Sequence, residues 1–80
     1  MAQIDLNKIN KIEKNRNVIH EKVYCTYTIF EQANDKYIQI DTYGRIDREM
    51  PEKISQSIQF DKKTAEFFVN LLIKEYDLKF

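Results

Sequence analysis

Residues 53–76, KISQSIQFDKKTAEFFVNLLIKEY, decide the fold, because within them an alternating pattern passes directly into a helical one. Between residues 53 and 60 apolar and polar residues alternate, which is typical of a β-strand with one buried face. Asp61 is a favourable N-cap, and the apolar spacing that follows predicts a helix from residue 62 to about residue 76. The inward-facing residues of the predicted strand are Ile54, Ile58 and Phe60.

The predicted helix carries more apolar surface than one sheet face covers. An ordinary surface helix has a single apolar arc of roughly 100° or a little more, whereas two apolar stripes run side by side here. Either the sheet curls around the helix, or the second stripe packs on another subunit, which would also stabilise so short a chain. We predict the second arrangement, a homodimer through the helix. The first stripe is Ala65, Phe68, Val69, Leu72, Ile73 and Tyr76; the second, the expected interface, is Phe67, Leu71 and Leu78.

Two further strands are predicted before this segment. Residues 22–31 and 36–43 are rich in β-branched and aromatic side chains, and residues 32–35 between them suit a turn. Gly44 is the only glycine, so a positive φ is expected there, where the second strand stops. The predicted fold class is α+β, an antiparallel sheet of three or four strands followed by a C-terminal amphipathic helix. Alternation puts Val23, Cys25, Tyr27 and Ile29 on one face and Tyr24, Thr26, Thr28 and Phe30 on the other.

The first seventeen residues form a polar arm, and residues 18–80 form a single β-β-β-α domain. Ile4 and Leu6 alternate as in a strand, whereas Leu6, Ile9 and Ile12 recur every three residues as in a helix. The pattern leaves both alternatives open. A mobile or partly helical arm is the expectation for this segment.

Composition narrows the class of protein. Thirteen basic and thirteen acidic side chains give a formal net charge of zero, so net charge alone does not indicate a nucleic-acid binder. Cys25 is the only cysteine, which rules out a disulfide within the chain and favours a reducing compartment. No stretch approaches the roughly 20 apolar residues that span a bilayer, and the first residues lack a signal-peptide pattern. We expect a cytoplasmic protein without membrane contact, from an AT-rich bacterial or phage genome.

Few residues carry catalytic chemistry. His20 and Cys25 each occur once, and their pairing as a nucleophile and base would need an orienting group that no motif indicates. We expect Cys25 to be a small buried strand residue. Clustered zinc ligands and a glycine-rich phosphate loop are absent from the sequence, and Asp41 and Asp47 are expected to be solvated carboxylates. The prediction is a non-enzyme with no cofactor and no metal.

A binding face is the stronger possibility. Aromatic rings offer stacking platforms and basic side chains offer phosphate contacts, and together they form single-strand nucleic-acid grooves. The ordinary interpretation is that tyrosines are good strand formers and that charges at strand ends are solvated. The candidate rings are Tyr24, Phe30, Tyr37 and Tyr43, and the candidate basic groups are Lys22, Lys36, Arg45, Arg48 and Lys53.

Residues 37–78 resemble the positive-cofactor-four type of transcriptional coactivator domain, which is related in architecture to the plant Whirly proteins. The resemblance rests on YIQIDTY at 37–43, a charged loop, KISQSIQF at 53–60 and DKKTAEFFVNLL at 61–72. It implies a dimer packed through helices, with curved sheets that bind single-stranded DNA without strong sequence preference. The contacts it implies are Tyr43, Arg45, Arg48 and Lys53, with Tyr37 as a stacking ring.

This chain departs from that family in its charges. The loop is also acidic at Asp47, Glu49 and Glu52, which weakens its attraction for phosphate. The family's extra basic run is thin in this chain, and the candidates to substitute for it are Lys8, Lys11, Lys14 and Arg16 of the arm.

Two functional hypotheses of different class follow. The first is a homodimeric binding protein for single-stranded nucleic acid, DNA or RNA, in a bacterial, phage or mobile-element context. The alternative is a protein-interaction module, such as a phage inhibitor of host defence or an antitoxin-like partner, that docks through the wide helix or an open sheet edge.

Overall fold

The computed structural model describes residues 1–44 and 53–80. It contains a four-stranded sheet and one C-terminal α-helix, so the predicted α+β class is confirmed. A single turn of 3₁₀-helix at Leu6–Lys8 lies in the arm. The strands are β1 (Ala2–Gln3), β2 (Cys25–Gln32), β3 (Asp35–Tyr43) and β4 (Ile54–Phe60), and the helix is α1 (Lys62–Tyr76).

The strand order in the sheet is β1-β4-β3-β2. The pairs β2–β3 and β3–β4 are antiparallel, as the sequence predicts. β1 is parallel to β4, and Ile4 N–H donates to the carbonyl of Gln59 at 2.9 Å. The sheet is therefore mixed rather than purely antiparallel. Two residues are too few for alternation to reveal a strand, so the pairing of β1 depends entirely on the tertiary structure.

The arm contains the two-residue strand β1 and one 3₁₀ turn, but neither the strand pattern nor the helical pattern extends along it. After the 3₁₀ turn, which the Asp5 side chain caps by accepting the N–H of Asn7 at 2.9 Å, residues 9–24 have no regular secondary structure. This segment connects β1, at one edge of the sheet, with β2, at the other edge. It must therefore span the width of the sheet.

The β2–β3 hairpin closes through a two-residue turn. Gln32 pairs with Asp35, and Ala33 and Asn34 between them have φ of 53° and 67°. Two consecutive positive φ values match the right-handed twist of the flanking strands, which is why such turns are favoured in hairpins. Gly44 does not have a positive φ, so that prediction is wrong. The left-handed backbone occurs where the hairpin needs it, and Asn34 tolerates it through its short polar side chain.

Helix α1 begins and ends as predicted. The Asp61 carboxylate accepts the N–H of Thr64 at 2.9 Å, which pairs one of the free N–H groups of the first turn. At the other end Asp77 has φ 51° and its N–H donates to the carbonyl of Ile73. This left-handed residue, with the N–H of Leu78 also donating to Ile73 at 3.2 Å, ends the helix.

The two faces of the sheet differ in character. Cross-strand neighbours share a face, so the registers define one face, which we call the apolar face, and a second, which we call the tyrosine face. Helix α1 packs on the apolar face, where Phe60 and Phe68 meet edge to face at 6.1 Å. The apolar face is Tyr27, Ile29, Ile38, Ile40, Ile58 and Phe60. The tyrosine face is Thr26, Thr28, Phe30, Gln32, Asp35, Tyr37, Gln39, Asp41, Tyr43, Ser57 and Gln59, joined by Tyr24.

Within residues 1–44 and 53–80 no hydrophobic side chain is buried. The two buried residues are polar, Asp41 at 6% and Thr64 at 0% exposure. The chain exposes 7975 Å², whereas a compact monomer of 9.7 kDa exposes about 5,100 Å². A single copy therefore places its hydrophobic residues in two exposed layers, the apolar face and the helix, rather than in a core.

Candidate functional site

The four aromatic side chains predicted as stacking rings lie together on the tyrosine face. They form two pairs. The rings of Tyr24 and Tyr43 are 5.3 Å apart and tilted by 51°, and those of Phe30 and Tyr37 are stacked at 5.5 Å with 25° between their planes. Tyr24 is 65% exposed, and the other three are half-buried. All four rings lie on the face of the sheet that does not carry helix α1.

The two aromatic pairs lie at opposite ends of the face. Tyr37 and Tyr43 are both in β3, and six residues of strand separate them by about 20 Å. A ligand that contacts both pairs must therefore run along the strands. The Tyr43 hydroxyl shares a hydrogen bond of 3.1 Å with the Thr26 hydroxyl on the neighbouring strand, which orients one of the rings.

A hydrogen-bonded network occupies the middle of the face. The Gln59 side-chain amide donates to Gln39 Oε1 at 2.6 Å, and the Gln39 amide donates to Asp41 Oδ1 at 2.9 Å. Ser57 Oγ donates to the same carboxylate oxygen. Two strands are thus linked by side chains as well as by backbone, and one negative charge is held between the aromatic pairs.

The burial of Asp41 corrects an expectation. Its position on an alternating strand favoured a solvated carboxylate, but the side chain is almost fully buried and hydrogen-bonded. Its cross-strand neighbours Thr26 and Ser57 lie on either side of it, and Ser57 and Gln39 replace the lost water. Polarity along one strand does not reveal which polar groups meet across strands. Asp47, the other carboxylate considered, lies outside the described residues.

Of the basic residues predicted as contacts, the structure describes three, and two of these lie near the tyrosine face. Lys53 is exposed and precedes Ile54, which is opposite Tyr43, so it lies at the end of the sheet that carries the Tyr24–Tyr43 pair. Lys22 is exposed two residues before Tyr24 and approaches the same end. Lys36 instead lines a cavity with Ile38 and Phe60 on the apolar face, so it does not belong to the tyrosine face. Arg45 and Arg48 lie outside the described residues.

An open polar depression adjoins the network. It has a volume of about 240 Å³ and lies where β1 meets β4. The first residues of the chain therefore form one wall of the tyrosine face, a contribution that composition alone did not indicate. The lining residues are Met1, Ala2, Gln3, Gln39, Ser57 and Gln59.

Cys25 is exposed, not buried as predicted, and its thiol donates to the carbonyl of Val23 at 3.5 Å. It begins β2 at the end of the apolar face that helix α1 leaves open, and this explains the difference. His20 is exposed in the segment that precedes β2. In the part of the chain that the structure describes, no group of three or more His, Cys, Asp or Glu side chains is placed to hold a metal ion.

The three residues predicted as a dimer interface are all exposed: Phe67 and Leu71 on α1, and Leu78 just after its end. The Phe67 ring meets that of Phe68 at 5.4 Å. The exposed apolar face of the sheet was not among the predicted sites. Alternation identified its residues, but it could not show that the helix leaves most of them uncovered. No helix in the described ranges is long and apolar enough to cross a membrane.

Comparison with protein-family models, curated proteins and solved structures finds no match for this chain. The resemblance to the positive-cofactor-four type of domain stays a prediction from the sequence.

Proposed function

We propose that this protein is a non-enzymatic binding protein for single-stranded nucleic acid and that the tyrosine face is its binding surface. The observation that carries the proposal is the pair of aromatic clusters, Tyr24–Tyr43 and Phe30–Tyr37, at the two ends of one sheet face. Aromatic rings stack on any base, and each stacked base contributes about 1–3 kcal/mol. Two clusters on one face suit an extended, flexible single strand of nucleic acid.

The polar centre of the face supports the same function. Thr28, Gln39 and Gln59 present hydroxyl and amide groups between the clusters, and these groups donate to and accept from base edges without a strong sequence preference. The Asp41 carboxylate is held by Ser57 and Gln39, so it is not free to approach phosphate.

The charge distribution favours a nucleic-acid backbone along the margins of the face. Its strand positions include Asp35 and Asp41 but, within the described strands, neither lysine nor arginine. Basic groups come instead from Lys53 and from residues 8–22, which contain five basic and two acidic side chains. The bound nucleic acid would run with its bases on the tyrosine face and its backbone along these margins. Its affinity should therefore fall steeply as the salt concentration rises.

The setting is proposed from the sequence. A cytoplasmic protein of a bacterium, phage or mobile element would use such a face in replication, recombination or transcription. The resemblance to a transcriptional coactivator domain adds support in the order of its elements, strand, charged loop, strand and capped helix.

One observation favours the alternative, a protein-interaction module. The tyrosine face has two carboxylates and, on its described strands, neither lysine nor arginine. Such a face also suits a protein partner, because tyrosine is enriched in protein interfaces. A phage inhibitor of host defence or an antitoxin-like protein would have this kind of surface.

The test is fluorescence anisotropy with a labelled oligothymidylate at low salt. The variants Tyr37→Leu and Tyr43→Leu keep an apolar side chain but remove the stacking ring. Each is expected to weaken binding by about fivefold to hundredfold, the equivalent of one lost stacked base. Phe80→Ala is the matched control, because Phe80 is a fully exposed aromatic residue outside the sheet.

The wild-type protein should also lose affinity when salt is raised from 50 to 200 mM, roughly the range over which phosphate contacts are screened. Absence of binding at micromolar protein, or leucine variants that bind as the wild type does, would contradict the proposal. Capture of a host protein by the same face, sensitive to Tyr43→Leu and insensitive to nuclease, would support the alternative.

A further inference from the structure

The apolar face and helix α1 together form an open wedge. Near the apex Phe60 and Phe68 are in contact, and Ile38 and Ala65 line a cavity of about 220 Å³ beside them. Away from the apex the sheet becomes steadily more exposed, with Ile58 at 41%, Ile29 at 59% and Tyr27 at 73%. The sheet is therefore covered at one corner only.

The helix side of the wedge shows the same trend. Ala65 and Phe68, in the first two turns, are half-buried. The later residues of the same stripe are all exposed, with Val69 at 52%, Leu72 at 43%, Ile73 at 37% and Tyr76 at 72%. Because these residues repeat at i, i+3 and i+4 spacing, they face the same direction. The helix thus leaves the sheet after about two turns and carries its apolar stripe into solvent.

We infer that a second copy of this chain closes the wedge. In this arrangement the helix of each subunit lies on the exposed part of the other subunit's apolar face, around a two-fold axis. The interface then comprises the sheet residues Tyr27, Ile29, Ile40 and Ile58 as well as the helix, not the helix stripe alone.

The exposed area fits this occupant. The 7975 Å² of one chain exceeds by about 2,900 Å² the surface of a compact monomer of this mass. Part of the excess belongs to the extended segment 9–24, which has no regular structure. Obligate homodimers bury about 1,000–2,500 Å² per subunit, which is less than this excess.

Self-complementarity also selects a second copy. The wedge exposes both surfaces of a helix-on-sheet contact, the helix stripe and the apolar face. A two-fold axis places the helix of each subunit on the sheet of the other and so forms a closed dimer. The formal net charge of zero means that two copies do not repel each other strongly. The described residues contain no buried hydrophobic side chain, so a single chain has little to stabilise its fold. A second copy is always present at the same concentration as the chain itself, whereas a different partner protein can be scarcer.

This dimer does not depend on nucleic-acid binding, because it uses the apolar face and leaves the tyrosine face open. Failure of one proposal therefore leaves the other standing. The measurements below also separate a helix-only dimer from the arrangement proposed, because the sheet residues take no part in the former.

The test is sedimentation equilibrium with circular dichroism at matched concentrations. The wild type is expected at twice 9.7 kDa. Ile29→Lys, on the sheet, and Leu72→Lys, on the helix, should each raise the dimer dissociation constant at least tenfold, since each buries a charge in the interface. Ile29→Leu should preserve the dimer. Ile19→Lys is the matched control, because Ile19 is fully exposed in the segment before β2.

A second measurement avoids variants that fail to fold. A photoreactive phenylalanine analogue at position 29, in a mixture of normal and isotope-labelled chains, should cross-link to residues of α1 on the other chain. A folded wild-type monomer would overturn the inference, as would a dimer unaffected by Ile29→Lys or cross-links confined to one chain. A chain that is unfolded alone and folds only with a different protein would overturn it as well.

Discussion

Asp61 is the residue at which strand β4 becomes helix α1. Its carboxylate accepts the N–H of Thr64, and this hydrogen bond holds the pKa of Asp61 below its ordinary value of 3.8. A carboxyl group whose pKa is lower in the folded chain stabilises it fully above the unfolded-state pKa. That stabilisation is lost as the pH falls through the folded-state pKa. The cap is therefore a source of acid sensitivity.

We expect Asp61→Asn to keep the cap and remove its titration, because asparagine is an equally good N-cap acceptor. Between pH 5 and pH 2 the melting temperature of the wild type should fall more than that of Asp61→Asn. Asp61→Ala should lower the melting temperature at neutral pH by about 5 °C. Thermal melts followed by circular dichroism measure both effects. Parallel pH profiles of the wild type and Asp61→Asn would mean that the carboxylate does not cap the helix.

At the scale of the elements, the β2–β3 hairpin contains a strained residue. Ala33 has φ 53°, a conformation that costs a residue with a Cβ atom about 1 kcal/mol. Ala33→Gly should stabilise the protein by roughly 0.5 kcal/mol, the strain removed less the greater freedom of glycine in the unfolded chain. Ala33→Val should destabilise it, because a β-branched side chain is poorly accommodated there. Urea unfolding of the three proteins gives the order, and an unstable Ala33→Gly would argue against this turn.

The elements also show how far the sequence predicts the structure. Alternation over residues 22–43 and 53–60 predicted three strands and their faces, because side chains alternate along a strand whatever it packs against. The Asp61 cap and the apolar spacing predicted α1 because both signals are local. β1 was missed, and the positive φ was assigned to Gly44 rather than to Ala33. The two-residue strand depends on pairing with a distant segment, and the conformation of the turn depends on the register in which β2 and β3 pair.

At the scale of the whole molecule, stability should depend on protein concentration. If folding and dimer formation are one step, mass action links the melting temperature to the total concentration of chain. Tenfold dilution should lower the melting temperature by about 3–5 °C, given the unfolding entropy of a two-chain unit of this size. Calorimetry at several concentrations between 5 and 500 µM measures this. A melting temperature that stays constant across that range would indicate a monomer.

The sequence by itself determined the strands of the hairpin, the capped helix, its excess of apolar surface and the aromatic character of one sheet face. Those properties follow from backbone geometry and from side-chain polarity, which act between neighbours in the chain. Only the tertiary structure decided that Tyr24 pairs with Tyr43, that Asp41 is buried and that α1 covers a single corner of the apolar face. Each of these results from contacts between residues far apart in sequence, where packing geometry and the loss of water set the outcome.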